Sequence, residues 1–198
     1  MKKYFLLILE RSIDIFLSII LLLLLSPLMI VVAILIKIES KGPVIFKQHR
    51  NGQYGKIFTI YKFRTMKHSN CKVFKQAERY DVRITTLGKV LRKISIDELP
   101  QLVNTLKGDM SLVGPRPHPL PLDTKYSSLI DNYMDRYNCK PGITGFSQIN
   151  DLRGETDFLK MKKRFMHDMY YVNNHTLALY FKILFTTPFK VLLHKNSV

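Results

Sequence analysis

The chain has 198 residues and a formal net charge of +16, from 31 Lys plus Arg against 15 Asp plus Glu. This length suits one domain, or one domain with an anchor, and 46% hydrophobic residues with 12 Phe and 10 Tyr argue against a disordered chain. The two cysteines, Cys71 and Cys139, have no metal-binding spacing, which argues against a disulfide framework or a structural zinc site and fits a reducing compartment.

The first predicted element is an apolar segment near the N-terminus. No charged residue occurs from Ile15 to Ile36, and a helix of this length would cover a hydrocarbon core of ~30 Å. The segment has no small-residue cleavage site and leads directly into Lys37, so we do not expect a cleaved signal peptide. The protein is predicted to stay in the membrane.

The path of this segment through the bilayer has two interpretations. Basic residues flank it on both sides, at Arg11 and Lys37, and the positive-inside rule draws both ends towards the cytoplasm. Pro27 lacks the amide that a helix needs, and the hydroxyl of Ser26 can bond the freed carbonyl. Either residues 1–38 form a re-entrant helix-break-helix anchor in one leaflet, or the segment is a kinked single span.

Residues 39–175 are predicted to form a small mixed α/β domain. Fifteen basic and three acidic residues lie between Lys37 and Lys93, so most of the excess charge lies next to the membrane. Two segments rich in β-branched and aromatic residues, 44–46 and 57–63, are separated by a Gly-containing turn and predict a short β-hairpin. Helical spacing at Leu99, Leu102, Val103 and Leu106 predicts a helix that ends before Gly108.

The C-terminal part is predicted to be helical, over 158–171 and 177–193, with Pro188 interrupting the second helix. In residues 176–198 the apolar side chains cover one broad face. An amphipathic helix lying on the bilayer and an ordinary core helix are both compatible with this pattern.

The segment from Ser95 to Gln101 carries the candidate chemistry. Ser95 and Glu98 match a helix capping box, and carboxylates are favoured in a first helical turn. Pro100 complicates that interpretation, because a helix capped by Ser95 would need an amide at this position. A start nearer Asp97 places two adjacent carboxylates at the mouth of the helix, so a capping role and a chemical role both stay open.

The surroundings of this pair favour phosphate chemistry. Upstream of the pair the sequence has the cations Lys62, Arg64 and Arg92, and downstream it has Arg116 between two prolines. Cations neutralise phosphate oxygens, a carboxylate can hold Mg²⁺, and an aspartate can serve as the nucleophile. No Walker or dinucleotide-binding glycine motif occurs.

Several motifs in order resemble the bacterial sugar transferases, the monotopic polyprenyl-phosphate phosphoglycosyl transferases. The resemblance runs from about Arg11 to the C-terminus, and residues 151–156 with His118 look most like the branch of undecaprenyl-phosphate glucose and galactose phosphotransferases of exopolysaccharide synthesis. Members of that branch often carry an additional multi-span N-terminal region, which we do not expect here. The motifs are Ser26-Pro27, Gly42–Val44 with Phe46–Gln48, Lys62–Met66, Asp97–Gln101, Lys107–Pro117 and Pro141–Gly145.

The resemblance implies a reaction and a set of site residues. Asp97 would attack the β-phosphate of a UDP-sugar, release UMP and hold the phospho-sugar covalently until polyprenyl phosphate takes it. Asp97 and Glu98 would be catalytic and would hold Mg²⁺, the expected cofactor. The basic residues expected to bind substrate are Lys62, Arg64, Arg92, Arg116 and Arg153.

The resemblance also implies a location. A re-entrant hairpin broken at Ser26-Pro27 would anchor the domain on the cytoplasmic face of the bacterial inner membrane, among anionic lipid headgroups. We expect no nucleic acid partner, and a homodimer stays open. Three positions depart from the family pattern, namely Phe146, Ala178 and Tyr180, and for this reason the resemblance does not extend to the details of C-terminal docking or to sugar choice, whereas the reaction class is not affected.

Two other functions are compatible with the charge and the anchor. A non-catalytic membrane-anchored module could bind a polyanion through its basic face. That interpretation does not account for adjacent carboxylates among the cations, since they would repel a phosphate backbone. A scaffold within a polysaccharide assembly complex would reduce Asp97 and Glu98 to a helix cap.

Overall fold

The computed structural model describes residues 2–67, 76, 81–152, 154 and 157–193. The predicted mixed α/β class is confirmed. Short 3₁₀ turns lie at Gln53–Gly55, Ile96–Glu98 and Tyr133–Tyr137. The helices are α1 (Lys2–Glu39), α2 (Thr86–Lys93), α3 (Gln101–Lys107), α4 (Leu120–Ser127), α5 (Phe146–Ile149), α6 (Phe158–Asn173) and α7 (Leu177–Leu193), and the strands are β1 (Ile45–Asn51), β2 (Ile57–Phe63), β3 (Ser111–Val113) and β4 (Gly142–Thr144).

Helix α1 is a single hydrogen-bonded helix that contains Pro27. Proline has no amide to donate to the carbonyl of Leu23, four residues earlier. The hydroxyl of Ser26 donates to that carbonyl at 2.8 Å, as the sequence predicted. The helix therefore passes through the position where two separate helices were expected, and its path in the bilayer stays a prediction.

Contacts with the globular domain recur along the length of α1. Near its start, Arg11 donates to the carbonyls of Thr105 and Leu106, at 2.5 and 2.8 Å. Near its end, the carboxylate of Glu39 accepts from the amide of Leu87 at 2.9 Å. Between these points Leu17, Leu21 and Leu22, and then Val32 and Ile36, pack against two parts of the core. The helix therefore lies along the domain.

The predicted hairpin is confirmed, because β1 and β2 pair antiparallel from Ile45 with Phe63 to Asn51 with Ile57. The side chain of Asn104 in α3 binds the outer edge of β2. Its amide oxygen accepts from Tyr61 at 3.0 Å, and its amide nitrogen donates to the carbonyl of Thr59 at 2.7 Å. The helix that follows the carboxylate pair is thus fixed against the hairpin.

A short parallel pair, β3 with β4, lies in the core and was not predicted. The sequence indicated rigid loops at these positions, because Gly and Pro dominate them. Gly114 and Gly142 approach each other so closely that a Cβ on Gly142 would lie 2.0 Å from the amide nitrogen of Gly114. Only glycine fits here, and the contact fixes the segment that follows β3.

The two C-terminal helices are present, and α7 continues through Pro188. One face of α7 is core, since Tyr180 and Ile183 are fully buried, whereas Phe185 and Phe189 on α7 are mostly exposed. The phenol of Tyr180 donates to Asp14 of α1 at 2.7 Å. The interfacial arrangement of α7 stays a prediction, and residues 194–198 lie outside the described part of the chain.

Candidate active site

The carboxylate pair lies in a tight turn just before α3. Ser95 adopts a left-handed conformation with φ of 57°, residues Ile96–Glu98 form the 3₁₀ turn, and Pro100 occupies the N-cap position of α3. The side chain of Ser95 makes no capping hydrogen bond. The capping-box interpretation was therefore wrong, because Pro100 cannot supply the amide of a continuous helix and α3 begins only after it.

Glu98 is held by two cations from different parts of the chain. Lys62 of β2 donates to its Oε1 at 2.7 Å, and Arg116 forms a fork with both oxygens, with Nη1 to Oε2 at 3.1 Å and Nη2 to Oε1. Burial opposes ionisation of Glu98, but Arg116 and Lys62 outweigh it and hold the pKa of Glu98 well below its ordinary value. Glu98 is therefore ionised and fixed in place.

Asp97 is adjacent to Glu98, but its carboxylate is bonded differently. Its side chain is buried, with 7% of the residue exposed. Among the described residues, none forms a hydrogen bond or ion pair with its carboxylate. Burial and, second, the charge of Glu98 raise the pKa of Asp97 to about 6, although Lys62, Arg92 and Arg116 oppose the shift. A carboxylate that no cation saturates keeps its lone pairs available for reaction.

The structure brings three of the predicted basic residues to the pair. Lys62 and Arg116 contact Glu98 directly, and Arg92 stands in the last turn of α2. Burial lowers the pKa of Arg92, and Asp97 is the first of the carboxylates that counteract it, followed by Glu98. The site therefore combines two carboxylates with three cations.

The other two predicted basic residues are not in this group. Arg64 donates through Nη2 to the carbonyls of Ile36 and Ser40, at 3.4 and 2.7 Å, and so binds the C-terminal end of α1. Arg153 lies outside the described residues. The roles of Arg64 and Arg153 in substrate binding stay predictions.

The loop that carries Arg116, Pro115–Pro117, rests on residues that the sequence analysis did not single out as part of the site. Arg136, in the 3₁₀ turn at Tyr133–Tyr137, donates to the carbonyl of Arg116 at 2.8 Å. Arg50 of β1 donates to the carbonyl of Pro117 at 3.0 Å. No local sequence pattern indicates Arg136, which lies far from the loop in the chain. The sequence analysis included Arg50 only among the basic residues expected next to the membrane.

The donor set at the pair is compatible with Mg²⁺. This ion is usually bound through one or two carboxylates, with water and substrate phosphates completing its octahedral shell. Asp97 and Glu98 supply two adjacent carboxylates, but both oxygens of Glu98 already accept from cations. Within the described ranges, no group of three or more His, Cys, Asp or Glu side chains could hold a metal ion. Phosphate oxygens would have to complete any such site.

Comparison with known proteins decides the family. The model of the bacterial sugar transferase family matches residues 5–194. The chain belongs to the bacterial sugar transferase family. The predicted resemblance is confirmed, and the two carboxylates with Lys62 and Arg116 lie within the matched region.

The relatives are named for transfer of sugar phosphates to a lipid. The chain is 47% identical over 192 residues to the UDP-glucose:undecaprenyl-phosphate glucose-1-phosphate transferase of Escherichia coli K12, covering 96% of the chain and 41% of the relative. It is 43% identical to the N-acetylgalactosaminephosphotransferase of Aeromonas hydrophila that is named for undecaprenyl phosphate, covering 90% of the chain and 42% of the relative. The chain thus spans about two fifths of these relatives.

A shorter relative is covered almost completely. The exopolysaccharide production protein PSS of Rhizobium leguminosarum is 43% identical over 187 residues, which are 91% of this chain and 94% of the relative. The region shared with the longer proteins therefore corresponds to nearly the whole of a relative named for exopolysaccharide production.

Proposed function

We propose that the protein transfers a sugar 1-phosphate from a UDP-sugar to polyprenyl phosphate, with undecaprenyl phosphate as the acceptor, and so initiates synthesis of an exopolysaccharide, capsule or glycoconjugate. The observation that carries the proposal is the difference between the two adjacent carboxylates. Glu98 is saturated by Lys62 and Arg116, whereas within the described part of the chain Asp97 is buried without a bonded partner.

In the first step, a carboxylate oxygen of Asp97 attacks the β-phosphorus of the donor. A bond from this oxygen to phosphorus forms, the bond from phosphorus to the bridging oxygen of the α-phosphate breaks, and UMP leaves with that oxygen. Arg92, Arg116 and Lys62 neutralise charge on the phosphate oxygens. Asp97 then carries the sugar 1-phosphate as an acyl phosphate.

In the second step, a phosphate oxygen of the polyprenyl phosphate attacks the same phosphorus. The acyl phosphate bond breaks, the carboxylate of Asp97 is restored, and the product is a polyprenyl-diphosphate sugar. Asp97 and Glu98 would hold Mg²⁺ when the donor binds, and the ion would supply positive charge to the donor diphosphate before UMP leaves in the first step. Because the two substrates react in turn, UMP release does not require the lipid.

This order of events gives a test of the proposal. Purified protein with Mg²⁺ and a panel of UDP-sugars, without lipid, should release UMP and gain the mass of one sugar phosphate, measured by intact mass spectrometry. Asp97→Asn should abolish both signals, because an amide is a poor nucleophile. Asp135→Asn is the matched control, since it makes the same chemical change at an exposed position. Full turnover by Asp97→Asn would overturn the nucleophile assignment.

The membrane path of α1 is part of the proposal. The stretch Phe5–Glu39 is apolar and long enough to cross a bilayer, and from Glu10 to Glu39 it measures about 44 Å at ~1.5 Å per residue. Yet both Arg11 and Glu39 contact the same domain. If α1 crossed the bilayer, its two ends would lie at opposite faces, and the domain could not contact both of them without entering the bilayer itself. These contacts support a re-entrant anchor with both ends on one side of the bilayer, and the basic residues on both flanks favour the cytoplasmic side.

Cysteine labelling tests that path. In a Cys71→Ser, Cys139→Ala background, single variants Lys2→Cys and Lys47→Cys should react with a membrane-impermeant maleimide from the same side of sealed vesicles. Labelling from opposite sides would replace the re-entrant anchor with a span, while leaving the chemistry at Asp97 untouched.

The polyanion-binding alternative is less well supported. A non-catalytic module has no need of a carboxylate without a bonded partner beside its cations. The negative charge of such a carboxylate would repel a phosphate backbone and weaken binding. Retention of a labelled sugar phosphate by the wild-type protein would exclude it.

A further inference from the structure

Two buried arginines bind consecutive carbonyls of the Pro115–Pro117 loop. Arg136 donates through Nη2 to the carbonyl of Arg116 at 2.8 Å, and Arg50 donates through Nη1 to the carbonyl of Pro117 at 3.0 Å. Neither side chain bonds to Asp97 or Glu98 in the described structure. They contact the backbone of the loop, not its functional side chain.

The two arginines come from different elements, and each is itself held. Arg50 lies on β1, where its Nη2 donates to the side chain of Gln48 at 2.7 Å. Arg136 forms an ion pair with Asp168 of α6 at 2.5 Å. The loop is therefore tied to the hairpin on one side and to α6 on the other.

This arrangement has an energetic cost. Burial and, second, repulsion from the nearby guanidinium of Arg116 lower the pKa of Arg50 to about 10, although Asp123 and Glu98 oppose the shift. A backbone carbonyl could be satisfied by a neutral donor at lower cost. The retention of a charged group at Arg50 therefore requires a compensating gain.

The two prolines of the loop explain how contacts with its backbone can orient the side chain of Arg116. Pro115 and Pro117 fix the φ angles on either side of Arg116. Once the carbonyls of Arg116 and Pro117 are also fixed, little freedom remains in the direction of the Cα–Cβ bond of Arg116. Its guanidinium then meets Glu98 as a fork rather than through one nitrogen.

We propose that Arg50 and Arg136 are positioning residues, which orient Arg116 towards Glu98 by binding the carbonyls of the Pro115–Pro117 loop. The role rests on the proposed function, because Arg116 acts on the donor phosphates only if that transfer occurs. It assigns no substrate contact to Arg50 or Arg136.

A double-mutant cycle tests the proposal through activity. Arg50→Gln should slow lipid-independent UMP release about 100-fold, with an unchanged KM for polyprenyl phosphate in the full reaction. His49→Gln is the matched control, because His49 is exposed on the opposite face of β1. In an Arg116→Ala background, Arg50→Gln should cause no further loss. An equal further loss would show a role independent of Arg116 and would overturn the proposal.

Hydrogen exchange tests the same proposal without activity. Arg50→Gln and Arg136→Lys should accelerate exchange of the amide of His118, which donates to the phenol of Tyr137 at 3.2 Å, while the amides of β3 and β4 keep their wild-type rates. Unchanged exchange in Arg50→Gln would overturn the proposal even if Arg136→Lys fails to fold. If the wild-type protein released no UMP from any UDP-sugar, the proposed function would fail, and the exchange rates would still decide whether the arginines hold the loop.

Discussion

Two buried groups of charged side chains lie close together in this protein, and they are organised differently. The inner cluster consists of Arg136, His118, Asp123 and Asp168 with their tyrosine partners. Arg136 contacts Asp168 at 2.5 Å and the phenol of Tyr133 at 2.9 Å, and Asp123 accepts from Asn51 and Tyr137, at 2.8 and 2.9 Å. In the other group, around Glu98, cations saturate one carboxylate and leave Asp97 without a bonded partner among the described residues.

The difference shows what each group does for the molecule. In the inner cluster, Tyr133 and Asp168 help to outweigh burial and hold the pKa of Arg136 well above its ordinary value. Paired charges of this kind fix a geometry. Asp97 keeps a raised pKa because its surroundings do not compensate its charge fully. Which charged residues a group contains therefore says little about its role, whereas the bonding partners of each carboxylate say more.

The largest expected effect is that replacing one aspartate destabilises the fold, whereas replacing another abolishes activity. Asp168→Asn should lower the free energy of unfolding by about 3–5 kcal/mol, because it breaks the shorter ion pair of the buried Arg136 and leaves it the more distant Asp123, at 3.8 Å. Asp97→Asn should leave that free energy unchanged or raise it, since it removes an incompletely compensated charge while abolishing transfer. Chemical unfolding in detergent micelles measures both. Equal destabilisation by the two variants would contradict the comparison.

The pairing within the site could not be obtained from the sequence. The hairpin, the helix after Pro100 and the cations Lys62 and Arg116 followed from periodicity, breakers and a resemblance. Whether Glu98 capped a helix or met Arg116 depended on contacts between residues far apart in the chain. The same limit applies to Arg136, whose link to the Arg116 carbonyl joins segments that no local pattern connects. The parallel pair β3 and β4 was missed because each strand is three residues long.

Replacing the guanidinium fork on Glu98 should have the next largest effect. Arg116→Lys keeps the charge but gives a single point of contact, so one donor to the carboxylate is lost. We expect lipid-independent UMP release to fall by about 100-fold. Thermal melting should stay close to wild type, which separates this variant from Asp168→Asn. An active Arg116→Lys protein would mean that charge alone suffices at this position.

The pH dependence of UMP release distinguishes the two groups without a mutation. The reactive form of Asp97 is the carboxylate, and its pKa is raised to about 6. The rate should therefore fall as pH drops below 6, by about tenfold for each unit. Burial and Arg136 lower the pKa of His118 to about 3, so this member of the inner cluster does not titrate in that range. A rate that stays constant down to pH 5 would contradict the raised pKa of Asp97.

The smallest expected effect concerns Tyr180, one of the positions that departs from the family pattern. Its phenol donates to Asp14 at 2.7 Å and joins α7 to α1, while the amide of Leu112 donates to the same carboxylate at 2.9 Å. Tyr180→Phe removes one donor and leaves the other, so the free energy of unfolding should fall by about 1 kcal/mol. Tyr170→Phe, at a half-exposed position on α6, is the control. UMP release should not change, because this contact joins α7 to α1 rather than to the residues around Asp97. Lost activity with unchanged stability would place Tyr180 in the site and give the departure a catalytic meaning.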